Sequence, residues 1–435
     1  MTTPAALSQI KITLLKAACL LAIIPLFVLP AKAQVPGTFS PSVYGDTQVA
    51  PLPVRVEIPP GTPLVKARAI QLKEDIESAQ RPYISSVVSY SNEPVSNFNN
   101  KLATITPGLE FGFSPNRRSQ LKFNYLPTVF GLSQPRIGGQ EWRLSYKNQP
   151  TDRFRYVSSL GLFNTFHNVR NGVALLGNSG FLYTLTDRIR VGAEYRRDIV
   201  GDSRLSATGL NLPASNELVG RVKRNRFSLG LSLRPTARTD IDFRYTLGFD
   251  AGHKITTNRF NEFSFRVGKS IIAKEPGAHL QLFQVSYQLL ATGFRKDLSG
   301  FGNLSLTPSK DYYENQARLI SSARGNTNLA PGINEKRAGV GGYFSPQIFY
   351  LNSIRLDTAG RLIGPLSYRM GGSIGTQDFK DTFNNLGHPT IVGTANVALI
   401  WQLNRHITIE PGWYFLQAAN TYQRNVIYNN FRYTF

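Results

Sequence analysis

Apolar and polar residues alternate along most of the chain that follows Pro82. Within residues 189–196, the apolar positions are Ile189, Val191, Ala193 and Tyr195, and the intervening positions are Arg190, Gly192, Glu194 and Arg196. The same alternation recurs in residues 226–233, 241–249, 391–401 and 407–415. Because successive side chains of a β-strand point to opposite faces, this period of two predicts a series of strands, each with one apolar face.

Turn signals separate the predicted strands and come in two lengths. Short turns are predicted at Arg234-Pro235-Thr236 and at Asn404-Arg405, and long polar loops at 201–224 and 297–340. Short turns at one end and long loops at the other are typical of the periplasmic and extracellular sides of an outer-membrane barrel. A strand with its connection takes roughly 20–22 residues in such barrels, so the stretch 82–435 predicts an all-β, closed antiparallel transmembrane β-barrel of about 16 strands. A β-sandwich is disfavoured, because apolar faces on nearly every strand leave no second sheet to cover them.

The end of the chain is an alternating aromatic strand. Phe431, Tyr433 and Phe435 share one strand face, and Phe435 is the last residue. In a closed membrane barrel the last strand pairs with the first and its outer face meets lipid, so an apolar end is accommodated there. We therefore predict that these three residues form a membrane-insertion signal for the barrel-assembly machinery. The alternative is an ordinary edge strand.

The first 33 residues have the order of a secretory signal peptide. Lys11 and Lys16 precede an apolar run over 17–29, and Ala31-Lys32-Ala33 supplies small residues at the two positions that a signal peptidase reads. Cleavage after Ala33 would also remove Cys19, the only cysteine, and would leave a chain without disulfides. The predicted location is the outer membrane of a Gram-negative-type cell.

Residues 34–81 form a Pro-rich periplasmic segment in this prediction. Seven prolines between residues 36 and 63 favour an extended conformation, and the apolar spacing over 66–80 favours one short N-terminal helix. The helix could plug the barrel, dock on its periplasmic mouth, bind a partner or act as a spacer. Residues 82–435 are the predicted barrel domain.

The chain is strongly basic, with 49 Lys and Arg against 27 Asp and Glu and a formal net charge of +22. Nucleic acid is not an expected partner, because the basic residues are scattered and an exported protein would not meet it. We expect a basic lumen together with Arg at the interfaces with anionic lipid headgroups. Arg190, Arg196, Arg226 and Arg244 are expected to point into the lumen, because the opposite face of each strand is apolar.

The sequence carries no pattern of an enzyme or a metal site. The five histidines are dispersed, and there is no phosphate-binding loop, nucleophile elbow or cysteine site. We therefore predict a protein without catalytic residues, metal or cofactor. A Ser-His-Asp site assembled only in three dimensions is the remaining enzyme alternative.

Two segments carry motifs beyond the alternation of the strands: Gly341-Gly342-Tyr343-Phe344-Ser345-Pro346-Gln347, and residues 197–209. Both resemble the C-terminal outer-membrane domain of the bacterial cellulose synthase export subunit, cellulose synthase operon protein C. The first segment is similar to the family signature G-G-Y-[YF]-S-P-Q, which leads into a late barrel strand. The segment 197–209, RDIVGDSRLSATG, is similar to R-x-P-V-x-D-S-L-L-S-Y-A-G, and Gly220, Val222, Arg224 and Asn225 echo G-G-V-x-R-N. The helix at 66–80 and the strand entry at Pro82 resemble the approach to the family's barrel more weakly.

The chain also departs from that family. Arg204, Ala207 and Thr208 replace Leu, Tyr and Ala of the second motif, Arg221 replaces a Gly, and the family's Arg-Ser-Gly-Glu pattern in the first hairpin is absent. Family members usually carry a tetratricopeptide solenoid before the barrel, whereas the segment before residue 82 contains no helical repeat. The chain thus resembles the barrel without its periplasmic scaffold, which another protein could supply.

The resemblance implies an outer-membrane channel for export of an exopolysaccharide, cellulose or a cellulose-like glycan. Implied partners are the polysaccharide in transit, outer-membrane lipid, an inner-membrane glycan synthase and a periplasmic scaffold. A diffusion porin for small solutes and a structural or adhesive barrel are the alternatives. The resemblance implies that Asp202 and Ser203 form a constriction or a loop contact, and the alternative is that they have no role. The Tyr343–Gln347 junction either shapes the lumen or is a structural turn. The candidates for the lumen and substrate path are Arg190, Arg196, Arg226, Arg244, Asp202, Ser203, Tyr343, Ser345 and Gln347.

Overall fold

The computed structural model describes residues 81–94, 101–130, 137–166, 173–200, 210–212, 217–253, 257–272, 280–295, 347–380, 389–418 and 422–435. These residues form strands joined by turns, and no helix among them is long and apolar enough to cross a membrane. The strands are β1 (Tyr83–Pro94), β2 (Lys101–Asn116), β3 (Ser119–Phe130), β4 (Ile137–Asn148), β5 (Phe154–Phe166), β6 (Val173–Thr186), β7 (Ile189–Ile199), β8 (Leu210–Leu212), β9 (Glu217–Thr236), β10 (Thr239–His253), β11 (Asn258–Ile272), β12 (Leu280–Phe294), β13 (Ile348–Ile363), β14 (Leu366–Lys380), β15 (Thr390–Gln402), β16 (Ile407–Ala418) and β17 (Tyr422–Thr434).

Sixteen of these strands close into one antiparallel barrel, as the sequence predicts. Each barrel strand pairs with its neighbour in the chain, and β17 pairs with β1 from Tyr83 opposite Thr434 to Asn92 opposite Asn425. The short β8 stays outside the ring and pairs only with the first residues of β9, so β7 pairs directly with β9. Closure gives hydrogen-bond partners to the backbone N–H and C=O groups that the edge strands of an open sheet would leave unpaired.

The two ends of the barrel differ. The terminal end carries the start of β1, the end of β17 and tight turns such as that between Ile363 and Leu366. At the loop end, β12 ends at Phe294 and β13 begins at Ile348, so these two paired strands are far apart in sequence. We use these two names below.

The two faces of the wall differ in the way that the alternation predicts. On β9 and β10 the side chains of Phe227, Leu229 and Leu247 are 47–51% exposed. The side chains of Thr246 and Asp250, at the intervening positions of β10, are fully buried. The apolar side chains therefore point away from the barrel and the polar side chains point into it.

Contacts between strands that are not neighbours identify the polar face as the inner one. Arg143 on β4 reaches Asp198 on β7, with an Nη2–Oδ1 distance of 3.7 Å, although β5 and β6 lie between these strands. Arg369 on β14 likewise reaches Glu410 on β16. Side chains can bridge intervening strands in this way only on the concave side of a curved sheet.

Glycines on the inner face make room for aromatic rings of the adjacent strand. Gly248 lies opposite Phe260, and a Cβ atom at Gly248 would overlap that ring. Gly412 lies opposite Tyr428, whose ring occupies the corresponding space. These pairs place large rings flat against the wall, which keeps them out of the central space.

One predicted turn lies at a different position in the structure, and another is confirmed. β9 continues to Thr236, so the turn after it is Ala237-Arg238 and not 234–236. Pro235 is tolerated in the strand because the β9–β10 pairing skips there, from Ile241–Leu233 to Thr239–Thr236, so no ladder bond needs its missing N–H. The turn at Asn404-Arg405 is confirmed between β15 and β16.

The predicted loop 201–224 is wrong for residues 210–212, which form β8, and for residues 217–224, which begin β9. Basic residues interrupt the apolar alternation there, so the sequence pattern does not indicate a strand. In the fold these residues have partners: Arg224 binds Asp250, and Arg221 donates to Thr165 Oγ1 at 2.7 Å. The signal peptide, the helix at 66–80 and the loop 297–340 lie outside the described residues. The domain boundaries of the sequence analysis stay predictions.

Candidate functional site

The carboxylate of Asp198, on the inner wall, lies within ion-pair distance of three arginines that come from three strands. Asp198 Oδ2 lies 2.6 Å from Arg196 Nε and 2.7 Å from Arg226 Nη2, and Asp198 Oδ1 lies 3.7 Å from Arg143 Nη2. The Arg196 contact has ion-pair distance without the alignment of a hydrogen bond. Arg143 Nε also lies 2.6 Å from Glu141 Oε1. We call these five residues the Asp198 cluster.

The period of the strands brings the Asp198 cluster together. Arg196 and Asp198 are two residues apart on β7 and share its inner face, and Arg226 is directly opposite Arg196 on β9. Two like charges opposite each other on paired strands repel, and the carboxylate between them offsets that repulsion. Three guanidinium groups and two carboxylates leave the cluster a formal charge of +1.

A second charged pair lies nearer the loop end. Arg224 Nε and Nη2 each lie 2.8 Å from an oxygen of Asp250, whose side chain is fully buried. The same guanidinium lies over the rings of Phe260 and Phe294, with centroid distances of 5.1 Å and 5.8 Å. Bidentate pairing and stacking together fix this arginine in one orientation.

Further cations of the inner wall have acidic partners. Arg355 contacts both oxygens of Asp357 at 2.7 Å, Lys122 lies 3.5 Å from Glu110, and Arg369 pairs with Glu410. Much of the basic charge that the sequence assigns to the lumen is therefore neutralised locally. The oxygen and nitrogen atoms of these ion pairs can also exchange hydrogen bonds with a polar solute.

The structure places the four predicted lumen arginines on the inner face. Arg196 and Arg226 belong to the Asp198 cluster, Arg190 lies opposite Thr184 and Ser232, and Arg244 lies opposite Gly230 and Ser264. Their role in a substrate path stays a prediction.

The two motif regions are mostly outside the described residues. The candidates that fall there are Asp202, Ser203, Tyr343 and Ser345. Gln347 is described and directly precedes β13, and its carbonyl oxygen accepts a hydrogen bond of 3.1 Å from the N–H of Phe294. Gln347 thus lies at the junction into a strand that the sequence predicts.

Sequence reasoning missed the centre of the site. Asp198 continues the inner-face series Arg190, Glu194 and Arg196, so the period of two contained the signal. Glu141 and Arg143 have the same spacing on β4. Nothing in the sequence indicates that these two strands meet, because the contact crosses the inside of the barrel.

The aromatic strand end lies on the outer face. Phe431 and Phe435 are 41% and 57% exposed, and the rings of Tyr433 and Phe435 pack edge to face at 5.2 Å. The N–H of Phe435 donates to the carbonyl oxygen of Pro82 at 2.9 Å, which extends the closing seam to the last residue. The insertion signal itself stays a prediction.

Among the described residues no group of three or more His, Cys, Asp or Glu side chains could hold a metal ion.

Comparison with known families finds a match in the later part of the chain. Residues 333–389 match the family described as the C-terminus of cellulose synthase operon protein C. This stretch contains the segment from Gly341 to Gln347, so the resemblance noted there is confirmed. The match does not extend to residues 197–209. No curated protein matches the chain significantly in sequence.

Solved structures share the barrel at low sequence identity. A structure described as a bacterial polysaccharide outer membrane secretin superposes with a TM-score of 0.51 at 9% identity, covering 81% of this chain and 98% of the other. CdiB from Acinetobacter baumannii has a TM-score of 0.44 at 8% identity, over 80% of this chain and 60% of the other. OccK11 (OpdR) of Pseudomonas aeruginosa has a TM-score of 0.38 at 11% identity, over 81% and 95%. The likeness to the secretin is one of fold.

Proposed function

We propose that this protein is an outer-membrane channel through which an exopolysaccharide, cellulose or a cellulose-like glycan, leaves the cell. The observation that carries the proposal is the match of residues 333–389 to the cellulose synthase operon protein C family, in a chain that closes as a sixteen-stranded barrel. The exposed apolar outer face supports a bilayer location, because only a closed barrel or a helix satisfies every backbone group in lipid.

Passage needs no reaction in this proposal. Sugar hydroxyls both donate and accept hydrogen bonds, so a glycan can exchange partners along a wall of paired guanidinium and carboxylate groups. Most of the charge of the Asp198 cluster and of the Arg224–Asp250 pair is neutralised by ion pairing within them. Each contact with the glycan is therefore weak. Conduction requires binding that is weak and repeated, since a tight site would retain the polymer.

The proposal implies several partners. An inner-membrane glycan synthase would supply the growing chain, a periplasmic scaffold could guide it to the terminal end of the barrel, and the barrel-assembly machinery would insert the protein. Export by a signal peptide over residues 1–33 belongs to the same proposal.

The decisive experiment is a clean deletion of the gene. We expect synthase activity in isolated inner membranes to be unchanged and polysaccharide at the cell surface to fall at least several-fold, with recovery on complementation. Normal surface polysaccharide together with impaired uptake of small solutes would overturn the proposal in favour of a diffusion porin.

A further inference from the structure

Two arginines lie side by side on the outer face at the loop end. Phe260 on β11 pairs with Phe294 on β12, and the N–H of Arg295 donates to the carbonyl oxygen of Arg259 at 2.8 Å. This register sets Arg259 directly opposite Arg295. Both side chains are exposed, and they lie on the side of the wall that also carries the exposed Phe249 and Phe263.

No acidic side chain of the described residues pairs with these two arginines. Within the parts of the chain that the structure describes, neither guanidinium forms an ion pair, a side-chain hydrogen bond or a ring contact. Like charges directly opposite each other on paired strands are destabilising. On the inner wall, Asp198 lies within ion-pair distance of the two opposed arginines Arg196 and Arg226. Among the described residues, no carboxylate takes that place between Arg259 and Arg295. An anion from outside the chain would supply it.

An apolar groove adjoins the two arginines. It has a volume of about 790 Å³, and we call it the rim groove. Most of its lining residues occupy outer-face positions of their strands, and the inward-facing residues Arg226, Gly248, Phe260 and Phe294 alternate with them. Its apolar wall is formed by Phe227, Leu247 and Phe249, which are 46–49% exposed. The floor of the groove is open at Gly293. A Cβ atom at this position would have its nearest neighbour, the carbonyl oxygen of Gln347, 3.4 Å away, so a side chain would extend into the groove. The groove thus joins a doubly cationic end to an apolar trough.

We infer that the rim groove binds a phosphorylated lipid of the surrounding membrane, with its phosphate between Arg259 and Arg295 and an acyl chain along Phe227, Leu247 and Phe249. Two guanidinium groups match the geometry of a phosphate, to which each can donate two parallel hydrogen bonds. The exposed amide of Asn261 offers a further donor to the headgroup. A free phosphate would satisfy the charges and leave the trough empty, whereas a lipid satisfies both.

The inference rests on the proposed outer-membrane location, and its test does not depend on polysaccharide export. The purified full chain in detergent is titrated with diphosphorylated lipid A, and bound lipid is counted by native mass spectrometry. Dephosphorylated lipid A and inorganic phosphate are titrated separately. We expect lipid A to bind the wild-type protein at least tenfold more tightly than its dephosphorylated form.

Two variants probe the two halves of the groove. Arg259→Gln with Arg295→Gln should weaken lipid A binding at least tenfold, because the phosphate loses both cations. Gly293→Leu should also weaken it, because the new side chain fills the trough while both charges remain. Arg188→Gln with Arg238→Gln, which removes two exposed arginines at the terminal end, is the matched control and should leave binding unchanged.

Equal binding of lipid A by the wild-type protein and the Arg259/Arg295 variant would overturn the inference. Arginine-dependent binding of inorganic phosphate as tight as that of lipid A would instead make this a free-anion site and overturn the lipid assignment. Folding of each variant is checked by heat-modifiable migration in gels, and cell fractionation tests the outer-membrane location separately.

Discussion

At the scale of single residues, Asp198 connects three arginines of the inner wall. Its carboxylate is 15% exposed and lies within ion-pair distance of Arg143, Arg196 and Arg226. Removing one partner from a mostly buried charged network leaves the others uncompensated, which costs more than the pair contributes when intact. Asp198 is therefore a positioning residue for three guanidinium groups.

We expect Asp198→Asn to lower the free energy of unfolding by about 2 kcal/mol, the order of a charged hydrogen bond lost in a partly wet site. Urea unfolding of the refolded protein in lipid vesicles, followed by tryptophan fluorescence, measures this. Asp240→Asn is the control, because Asp240 pairs with Arg234 at 2.9 Å while both side chains are well exposed. That variant should change stability by no more than about 0.5 kcal/mol. Equal losses in the two variants would contradict the role given to Asp198.

At the scale of elements, the seam between β1 and β17 closes the sheet into a barrel. The seam extends over ten residue pairs and ends in the backbone hydrogen bond from Phe435 to Pro82. The outward aromatic residues Phe431, Tyr433 and Phe435 lie at its terminal end, where a bilayer interface would meet them.

Changing Phe435 to Asp, or deleting it, is expected to reduce the amount of barrel in the outer membrane several-fold while signal-peptide processing continues. A charge on the lipid side is unfavourable, and the last strand loses its terminal aromatic. Quantitative blotting of heat-modifiable protein in outer-membrane fractions measures the effect, and Phe435→Tyr, which keeps the ring, should assemble normally. Wild-type levels of the Asp variant would show that Phe435 carries no insertion signal.

At the scale of the whole molecule, the two faces of the wall meet different surroundings. Leu229 is 51% exposed on the outer face, and its neighbour Ser228 lies on the inner face, where its hydroxyl is 2.9 Å from that of Thr246. In a bilayer the exposed leucine would contact lipid, so its exposure to water holds only for the isolated chain.

Single cysteines at these two neighbouring positions should therefore react differently. In proteoliposomes of protein that also carries Cys19→Ser, we expect Ser228→Cys to be labelled by a small water-soluble maleimide and Leu229→Cys to be protected. Both should react after denaturation, which controls for intrinsic reactivity. Faster labelling of Leu229→Cys than of Ser228→Cys in the membrane would contradict the assigned inner and outer faces.

The sequence by itself determined the barrel class, the approximate number of barrel strands and, where the alternation is clear, the sorting of side chains between the faces. These properties depend on a period of two and on turn residues, which act over a few neighbouring positions, as in residues 189–196 and at the turn Asn404-Arg405. Local patterns also placed Gln347 at the entry to β13.

Only the tertiary structure decided which charges meet. The partners of Asp198 come from β4, β7 and β9, and the Arg143 contact joins residues that are distant in the chain by bridging two intervening strands. The early start of β9, with Arg221 at a φ of 49° and hydrogen-bonded to Thr165, likewise depends on strands that fold against it. The rim groove needs the register that sets Arg259 opposite Arg295. Register and curvature are set by the closure of the whole ring, and no local pattern contains them.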